Sequence, residues 1–192
     1  MSEERGDFML PWIIGGILVV VIAVWLMSLY NKFIALKNKS EEAFSTMDVY
    51  LKKRYDLIPN LVETVKGYAK HESSTLEKIV QARNMAVQAR TPEEKIAQEK
   101  QVQGMLGNIF AIAESYPDLK ANTNFIDLQK QLQRMEEEIA NARKYYNGVV
   151  NTYNILCESF PSNIIANMFH FTKKPLYVVE QESHRENIKV SF

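Results

Sequence analysis

Twenty-three consecutive residues, Phe8 to Tyr30 (FMLPWIIGGILVVVIAVWLMSLY), carry no charged side chain. A hydrocarbon core about 30 Å thick is crossed by roughly 20 apolar residues rising 1.5 Å each, so this run can span a bilayer once. Lipid offers the backbone no hydrogen-bond partners, and a helix satisfies its own. A cleaved signal peptide needs a basic start, a shorter apolar core and a small-residue cleavage site. Here Glu3, Glu4 and Asp7 outweigh Arg5, and the run closes on Met27-Ser28-Leu29-Tyr30. A soluble core helix is the other alternative, and 23 uncharged residues at the terminus are too long and too apolar for it. The expectation is a retained transmembrane helix over residues 10–30, preceded by a short segment, 1–9.

Pro11 suits a first helical turn, where its missing N–H costs nothing. Phe8 and Trp12 at one end, with Trp25 and Tyr30 at the other, fit the two interfacial belts. Lys32, Lys37 and Lys39 follow the span, against Arg5 alone before it. Basic residues are retained in the cytoplasm, which predicts the N-terminus outside and the following domain inside.

Beyond the span the chain holds 22 basic and 20 acidic residues, a balance that argues against a nucleic-acid surface. The single cysteine, Cys157, excludes an intrachain disulfide and reads as an inert helix residue. Seven Gly and six Pro against 46% hydrophobic residues describe long uninterrupted elements rather than strands and turns.

From Phe125 to Phe160 apolar residues recur at spacings of three and four: Phe125, Leu128, Leu132, Met135, Ile139, Ala142, Tyr146, Val149, Tyr153, Leu156, Phe160. This is the seam that packs long helices side by side, as in a coiled coil. Phe33, Leu36, Ala43, Met47, Tyr50, Leu57, Leu61, Val65 and Tyr68 follow a similar spacing upstream, with Pro59 predicting a kink or local break near Leu57. Ser74-x-x-Glu77 reads as a capping box, and Thr91-Pro92-Glu93-Glu94 as an N-cap with a first-turn proline and acids suited to the helix dipole. The helix it opens ends at Tyr116-Pro117, and Asp118 to Asn124 reads as a polar connection. The fold class is therefore all-α, a long antiparallel bundle of about four helices over residues 31–172.

Three features stay open between two readings. Phe44, Leu51, Tyr55, Ile58 and Val62 form a second apolar line on the first long helix, which is either buried in its own bundle or a self-association surface. Ile164 to Phe169 either folds onto the bundle or lies on the membrane face. Residues 173–192 read as a flexible charged tail, in which Leu176 to Val179 form a brief strand if something supplies an edge.

Chemistry is sparse. No Glu-x-x-His, H-E-x-x-H, G-x-x-x-x-G-K or G-x-S-x-G pattern occurs, and His71, His170 and His184 stand apart. Glu136-Glu137-Glu138 is a run of carboxylates whose neighbours point in different directions on a helix. No catalytic, metal or cofactor residues are expected, and an enzyme is not. The polar residues that stand out lie beside the seams. Tyr146-Asn147 recurs seven residues later as Tyr153-Asn154, placing both amides on one face. They either hydrogen-bond within the bundle and set its register or form a ligand or partner site. Asp56, Pro59 and Asn60 near the proline invite the same two readings.

These residues also carry a resemblance. Tyr55-Asp56-Leu57-Ile58-Pro59-Asn60-Leu61-Val62, continued through Ala69, is similar to the signature of the bacterial LemA family. So are Tyr116-Pro117-Asp118-Leu119-Lys120-Ala121, Ala142-Arg143-Lys144-Tyr145-Tyr146-Asn147, Tyr153-Asn154 and Phe160-Pro161-Ser162-Asn163-Ile164-Ile165-Ala166. Asn167 stands where family members often have Gly. The resemblance implies one N-terminal span in the bacterial inner membrane, a short outside terminus and a helical cytoplasmic domain. It implies no catalytic residues, and Tyr55 and Asn163 enter as interaction or register residues through these motifs.

The leading expectation is a non-catalytic, membrane-tethered scaffold, homo-oligomeric, organising the membrane face or recruiting envelope proteins. The alternative is a sensor or adaptor binding a small ligand or client protein for an envelope enzyme. A hydrolase using Asp56 or the Glu136–Glu138 run is the third reading.

Overall fold

The computed structural model describes residues 3–178, with side chains from Trp12 onward; Val179, His184 and the rest of the tail after Val178 lie outside the described residues. Six α-helices follow in order: α1 Glu3–Tyr68, α2 Ser73–Gln88, α3 Pro92–Ser115, α4 Pro117–Lys120, α5 Thr123–Glu158 and α6 Ser162–Met168, with a 3-10 turn at Lys70–Glu72 before α2. No strand occurs among the described residues, so the expected all-α class holds. The chain divides into two units, Met1–Glu42 with Gly148–Lys174, and Ala43–Asn147 with Pro175–Phe192.

In the first unit α1 begins as a bare apolar helix. From Trp12 (74% exposed) through Val19 (66%) to Met27 (62%) the large side chains other than Leu26 stand uncovered, and this is the stretch of the described residues long and apolar enough to cross a membrane. The helix starts at Glu3 rather than near Pro11; one missing N–H does not stop a helix whose other turns are intact, and proline is tolerated in membrane-spanning segments. After the apolar run Phe33, Tyr153, Ile165 and Ala166 form a buried cluster, with Leu26, Leu29, Leu36, Leu156, Cys157 and Phe171 packed against it. Ser40 is buried, and its hydroxyl is satisfied within its own helix by donating to the Lys37 carbonyl at 2.6 Å.

The join between α5 and α6 rests on Ser162. Its buried hydroxyl lies within hydrogen-bonding distance of the Leu156 and Ser159 carbonyls, at 2.6 and 2.9 Å, the first belonging to the last turn of α5, where carbonyls lack helical partners. Phe160, the expected last member of the seam, lies past the end of α5 and is 81% exposed. At the far end of α6, His170 adopts φ 57°, and Phe171 N–H reaches back to the Ala166 carbonyl at 2.9 Å. That is a helix stop built on one left-handed residue, and it turns Phe171 back to stack on Phe33, ring centroids 4.7 Å apart.

In the second unit both apolar lines of α1 are largely covered, with Tyr50 and Leu57 half-buried and Tyr68 at the helix end exposed. Ala43, Met47, Leu61 and Val65 are buried, and so are Leu51, Tyr55, Ile58 and Val62 of the second line, with Phe44 half-buried. The second line is thus enclosed by the chain's own bundle and supplies no argument for self-association. Phe44 packs edge-on to Tyr146 of α5, and Asp48 pairs with Lys95 of α3.

Pro59 does not interrupt α1, whose helical assignment runs unbroken to Tyr68. Its ring nitrogen has no hydrogen to give the Tyr55 carbonyl, and the structure supplies a substitute donor: Arg83 Nε of α2 at 3.3 Å. The same guanidinium faces Asp56 at 3.8 Å. A helix tolerates proline when a neighbour takes over the freed acceptor.

Two local expectations are corrected. The capping box expected at Ser74 is absent; α2 begins at Ser73, with Glu72 in the cap position and no side-chain cap, because the preceding 3-10 turn already leads the chain into helix. The segment Asp118–Asn124 is not simply a polar connection: α4 buries Leu119 completely, since a leucine beside a core is better placed inside than in solvent. Asn122 accepts from Phe125 N–H at 3.0 Å to cap α5 and donates to the Tyr68 hydroxyl at 2.9 Å. The Thr91 capping box is present in full, Thr91 Oγ1 accepting from Glu94 N–H and Glu94 Oε2 from Thr91 N–H. Two backbone donors, Arg90 and Thr91, hold the Glu94 carboxyl below its ordinary value.

Arg83→Leu should cost about 1–3 kcal/mol by stranding the Tyr55 carbonyl, read from denaturation of the protein in detergent. In a Pro59→Ala background the restored backbone N–H takes that carbonyl, so the cost should shrink. An equal cost in both backgrounds would sink the substitution account.

Candidate functional site

The second unit buries an arginine. Arg54, on α1, is 1% exposed, and its guanidinium pairs with Glu99 of α3 and Glu136 of α5. Glu99 is itself buried, and its other oxygen accepts from the Tyr55 hydroxyl at 2.5 Å. Arg54 also lies over the Tyr55 ring, 5.9 Å from its centroid. Three helices are therefore tied at one level by charge. A buried ion costs several kcal/mol unless its partners are well placed; here one cation meets two carboxylates, and half-exposed Glu136 keeps part of its hydration. Among the described residues Arg54 Nε has no hydrogen-bond partner.

Beside this cluster opens a pocket of about 370 Å³, lined by Arg54, Glu99, Gln103, Gln133, Glu136, Arg143 and Tyr177. Arg143 stands over the Tyr177 ring at 5.7 Å. Burial pushes both Tyr55 and Tyr177 up to about 12, against the opposing pull of nearby Arg54. At neutral pH these phenols stay protonated, and a guanidinium does not give up its proton. The arrangement places donors and acceptors in fixed positions around a polar pocket.

The asparagines act elsewhere. In the second unit Asn147 donates to the Tyr177 carbonyl at 3.0 Å and accepts from Tyr177 N–H at 2.8 Å, while the Tyr146 hydroxyl donates to the Pro175 carbonyl at 2.9 Å. In the first unit Asn154 does the same with Lys174, both bonds at 2.9 Å, and Lys174 Nζ lies over the Tyr153 ring at 5.9 Å. Each amide pairs with the N–H and C=O of one residue, as a neighbouring strand would. The described part of the expected tail, Lys173–Val178, is thereby pinned in non-helical form, with Tyr177 buried. The brief strand expected at Leu176–Val179 does not form over Leu176–Val178, and side-chain amides bind the backbone there instead.

Of the residues singled out by sequence, Tyr55 joins the Arg54 cluster, Asp56 and Pro59 meet at Arg83, and Tyr146 and Asn147 hold the C-terminal segment. Asn60 is exposed, and its carbonyl accepts from Thr64 Oγ1 at 2.8 Å. Asn163 is half-buried, with its Oδ1 lacking a partner among the described residues. Arg54, Glu99, Arg83, Arg143 and Tyr177 were not singled out. A signal for the first two existed: Glu99 and Arg54 occupy seam positions of α3 and α1, where opposite charges on two helices can meet. Glu136 meets Arg54, Glu137 lines the pocket, and Glu138 is exposed. No group of His, Cys, Asp or Glu suited to a metal occurs among the described residues. Burial raises the Cys157 thiol.

Glu99→Leu should cost about 3–5 kcal/mol by leaving Arg54 buried with one partner fewer, and Arg54→Met with Glu99→Leu should recover most of it, both measured by denaturant titration. Asn147→Ala should accelerate hydrogen exchange at the Tyr177 amide without loss of helicity.

Tyrosine pKa values set a further expectation. Unfolded tyrosine ionises near 10.0, whereas Tyr55, Tyr146, Tyr153 and Tyr177 are held at about 12 by burial. The folded state resists their ionisation, so the stabilisation is whole below the unfolded value and is lost as pH rises through the folded one. Phenolate absorbance should rise in two phases, with these four of the nine tyrosines ionising in step with the loss of helical ellipticity.

Protein LemA of Metamycoplasma hominis is 28% identical over 140 residues, covering 71% of this chain and 63% of that protein, so the chain spans less than two thirds of that relative. Magnetosome protein MamQ 2 of Paramagnetospirillum magneticum is 24% identical over 188 residues, covering 84% of this chain and 69% of that protein. Magnetosome protein MamQ of Magnetospirillum gryphiswaldense is 23% identical, covering 88% of this chain and 72% of that protein. The sequence profile described as LemA family matches residues 43–192, the stretch that holds the Pro59–Arg83 exchange, the Arg54 cluster and both asparagine clamps. The chain belongs to the LemA family.

Proposed function

We propose that the chain is a membrane-anchored, non-catalytic helical scaffold, with residues 10–30 crossing the inner membrane of a bacterial cell, the N-terminus outside and the bundle in the cytoplasm. The observation that carries this reading is the uncovered apolar sleeve from Trp12 to Met27. Apart from Leu26, which packs against the cluster around Phe33, the large apolar side chains of this stretch stand in the open, and at roughly 25 cal/mol per Å² a sleeve of this length is suited to lipid. Lys32 and Lys37 are exposed just after it, which supports the cytoplasmic placement of the bundle.

The scaffold role extends to recruitment. An open groove of about 530 Å³ between the end of α1 and α2 has a floor of Val62, Ala69, Leu76 and Val80 and a rim of Glu63, Lys66, Lys70 and Glu77. An apolar floor with a mixed-charge rim is what a partner helix requires. Tethering confines copies to two dimensions, and we include homo-oligomers in the reading. Relatives named as magnetosome proteins are compatible with a role at a membrane-bounded structure.

A second reading, a sensor or adaptor, is favoured by the pocket beside Arg54, where two guanidinium groups, three carboxylates and two glutamines offer donors and acceptors to a small polar ligand.

Crosslinking in intact cells followed by mass spectrometry tests the scaffold, together with the mass of the protein in detergent and cysteine accessibility at either end. The expected outcome is self-crosslinks or partner crosslinks through the bundle, a mass above the monomer, and reagent reaching position 2 only from outside. A strict monomer without partners, or a reversed accessibility pattern, would overturn it.

A further inference from the structure

The first unit leaves one face of α6 unexplained. Ile165 and Ala166 of this short helix are buried against Phe33 and Tyr153. Its other face, with the flanking residues, exposes Phe160, Ile164 (56%), Met168 (57%) and Phe169 (48%). Four large apolar side chains exposed together around one short helix constitute a patch rather than scattered surface residues.

Where this patch sits along α1 decides what covers it. The cluster holding α6 includes Leu26 and Leu29, which belong to the uncharged run ending at Tyr30. The Tyr30 ring lies 4.7 Å from Phe169 and 5.8 Å from Phe171. A span of 23 residues at 1.5 Å per residue slightly exceeds a hydrocarbon core of about 30 Å, so its last turn lies at the boundary between acyl chains and headgroups. Phe169, whose ring packs on Tyr30, lies at that boundary, and the α6 cluster on Phe33 lies within one turn of it.

We infer that α6, with Phe160 and Phe169, is an interfacial membrane foot whose exposed apolar face is seated in the lipid surface beside the span. The occupant is lipid because α6 is held at the exit of the apolar sleeve, with Phe169 and Phe171 on Tyr30 and its buried face in the cluster that Leu26 and Leu29 join. An amphipathic helix with its apolar face at the acyl boundary is a known mode of membrane contact, and aromatic side chains favour that depth. Two local devices set the foot in place: His170 turns Phe171 back onto Phe33, and Ser162 fixes the start of α6. The inference rests on the spanning reading above.

The test uses the full chain in phosphatidylcholine–phosphatidylglycerol vesicles, with Cys157→Ser and one added cysteine carrying an environment-sensitive fluorophore. The positions are Ile164→Cys and Phe160→Cys, with Val19→Cys as span control and Lys144→Cys as bundle control. Lipids bearing a quencher near the headgroup should quench the labels at 164 and 160 and spare that at 144. Lipids with the quencher deep in the acyl chains should quench the label at 19. Quenching at 19 without quenching at 164 and 160 would overturn the foot while leaving the span intact. No quenching at 19 would remove both. Disulfide crosslinks between copies at position 164, without lipid quenching, would give the face to a second copy and likewise overturn the inference. Position 160 lies outside any helix, so its label reads depth even if a change at 164 disturbs α6.

Discussion

Enclosing α1 on two sides is the constraint on which the second unit depends. A helix with apolar lines on two faces needs neighbours on both, and here α2 and α3 meet it through Arg83, Lys95 and Glu99, while α5 meets it through Tyr146 and Glu136. Met47, Leu51, Ile58, Leu61 and Val65 lose all contact with solvent as a result. At about 1.5–3 kcal/mol for each such side chain, this burial is what offsets the cost of removing Arg54 from water. The ionic cluster is a consequence of that enclosure, not its cause.

Once Arg54 is inside, the choice of partners becomes narrow. Buried ion pairs are weak sources of net stability, but breaking one is expensive, so the cluster acts chiefly on arrangement: α1, α3 and α5 fit at the level where Arg54 meets both glutamates. The asparagine clamps work by the same logic on neutral groups. An amide carries a donor and an acceptor side by side, the combination that one residue of an extended backbone presents. Asn147 and Asn154 thus hold Tyr177 and Lys174 without a partner strand.

The parts legible in the residues were those governed by local rules. The seams of α1 and α5, the Thr91 capping box and the apolar run require only spacing and neighbours a few positions away. The readings that failed depended on residues outside the motif that suggested them. Pro59 breaks an isolated helix, but Arg83, 24 positions later, replaces the missing donor. Ser74 has the composition of a cap, but the 3-10 turn before it sets the start of α2. Leu119 in a polar stretch says nothing until the core beneath it exists. Likewise Tyr177 reads as part of a loose tail until Asn147 supplies an edge.

From its residue order alone this chain was bound to be helical and to carry one stretch that water does not tolerate bare, because helical periodicity and the cost of exposing apolar surface act within a single segment. Only the folded arrangement decided which polar residues matter. Arg54, Glu99, Glu136 and Tyr177 lie on four separate parts of the sequence, and charge and hydrogen bonding link them only once burial has excluded the water that would otherwise serve each of them alone.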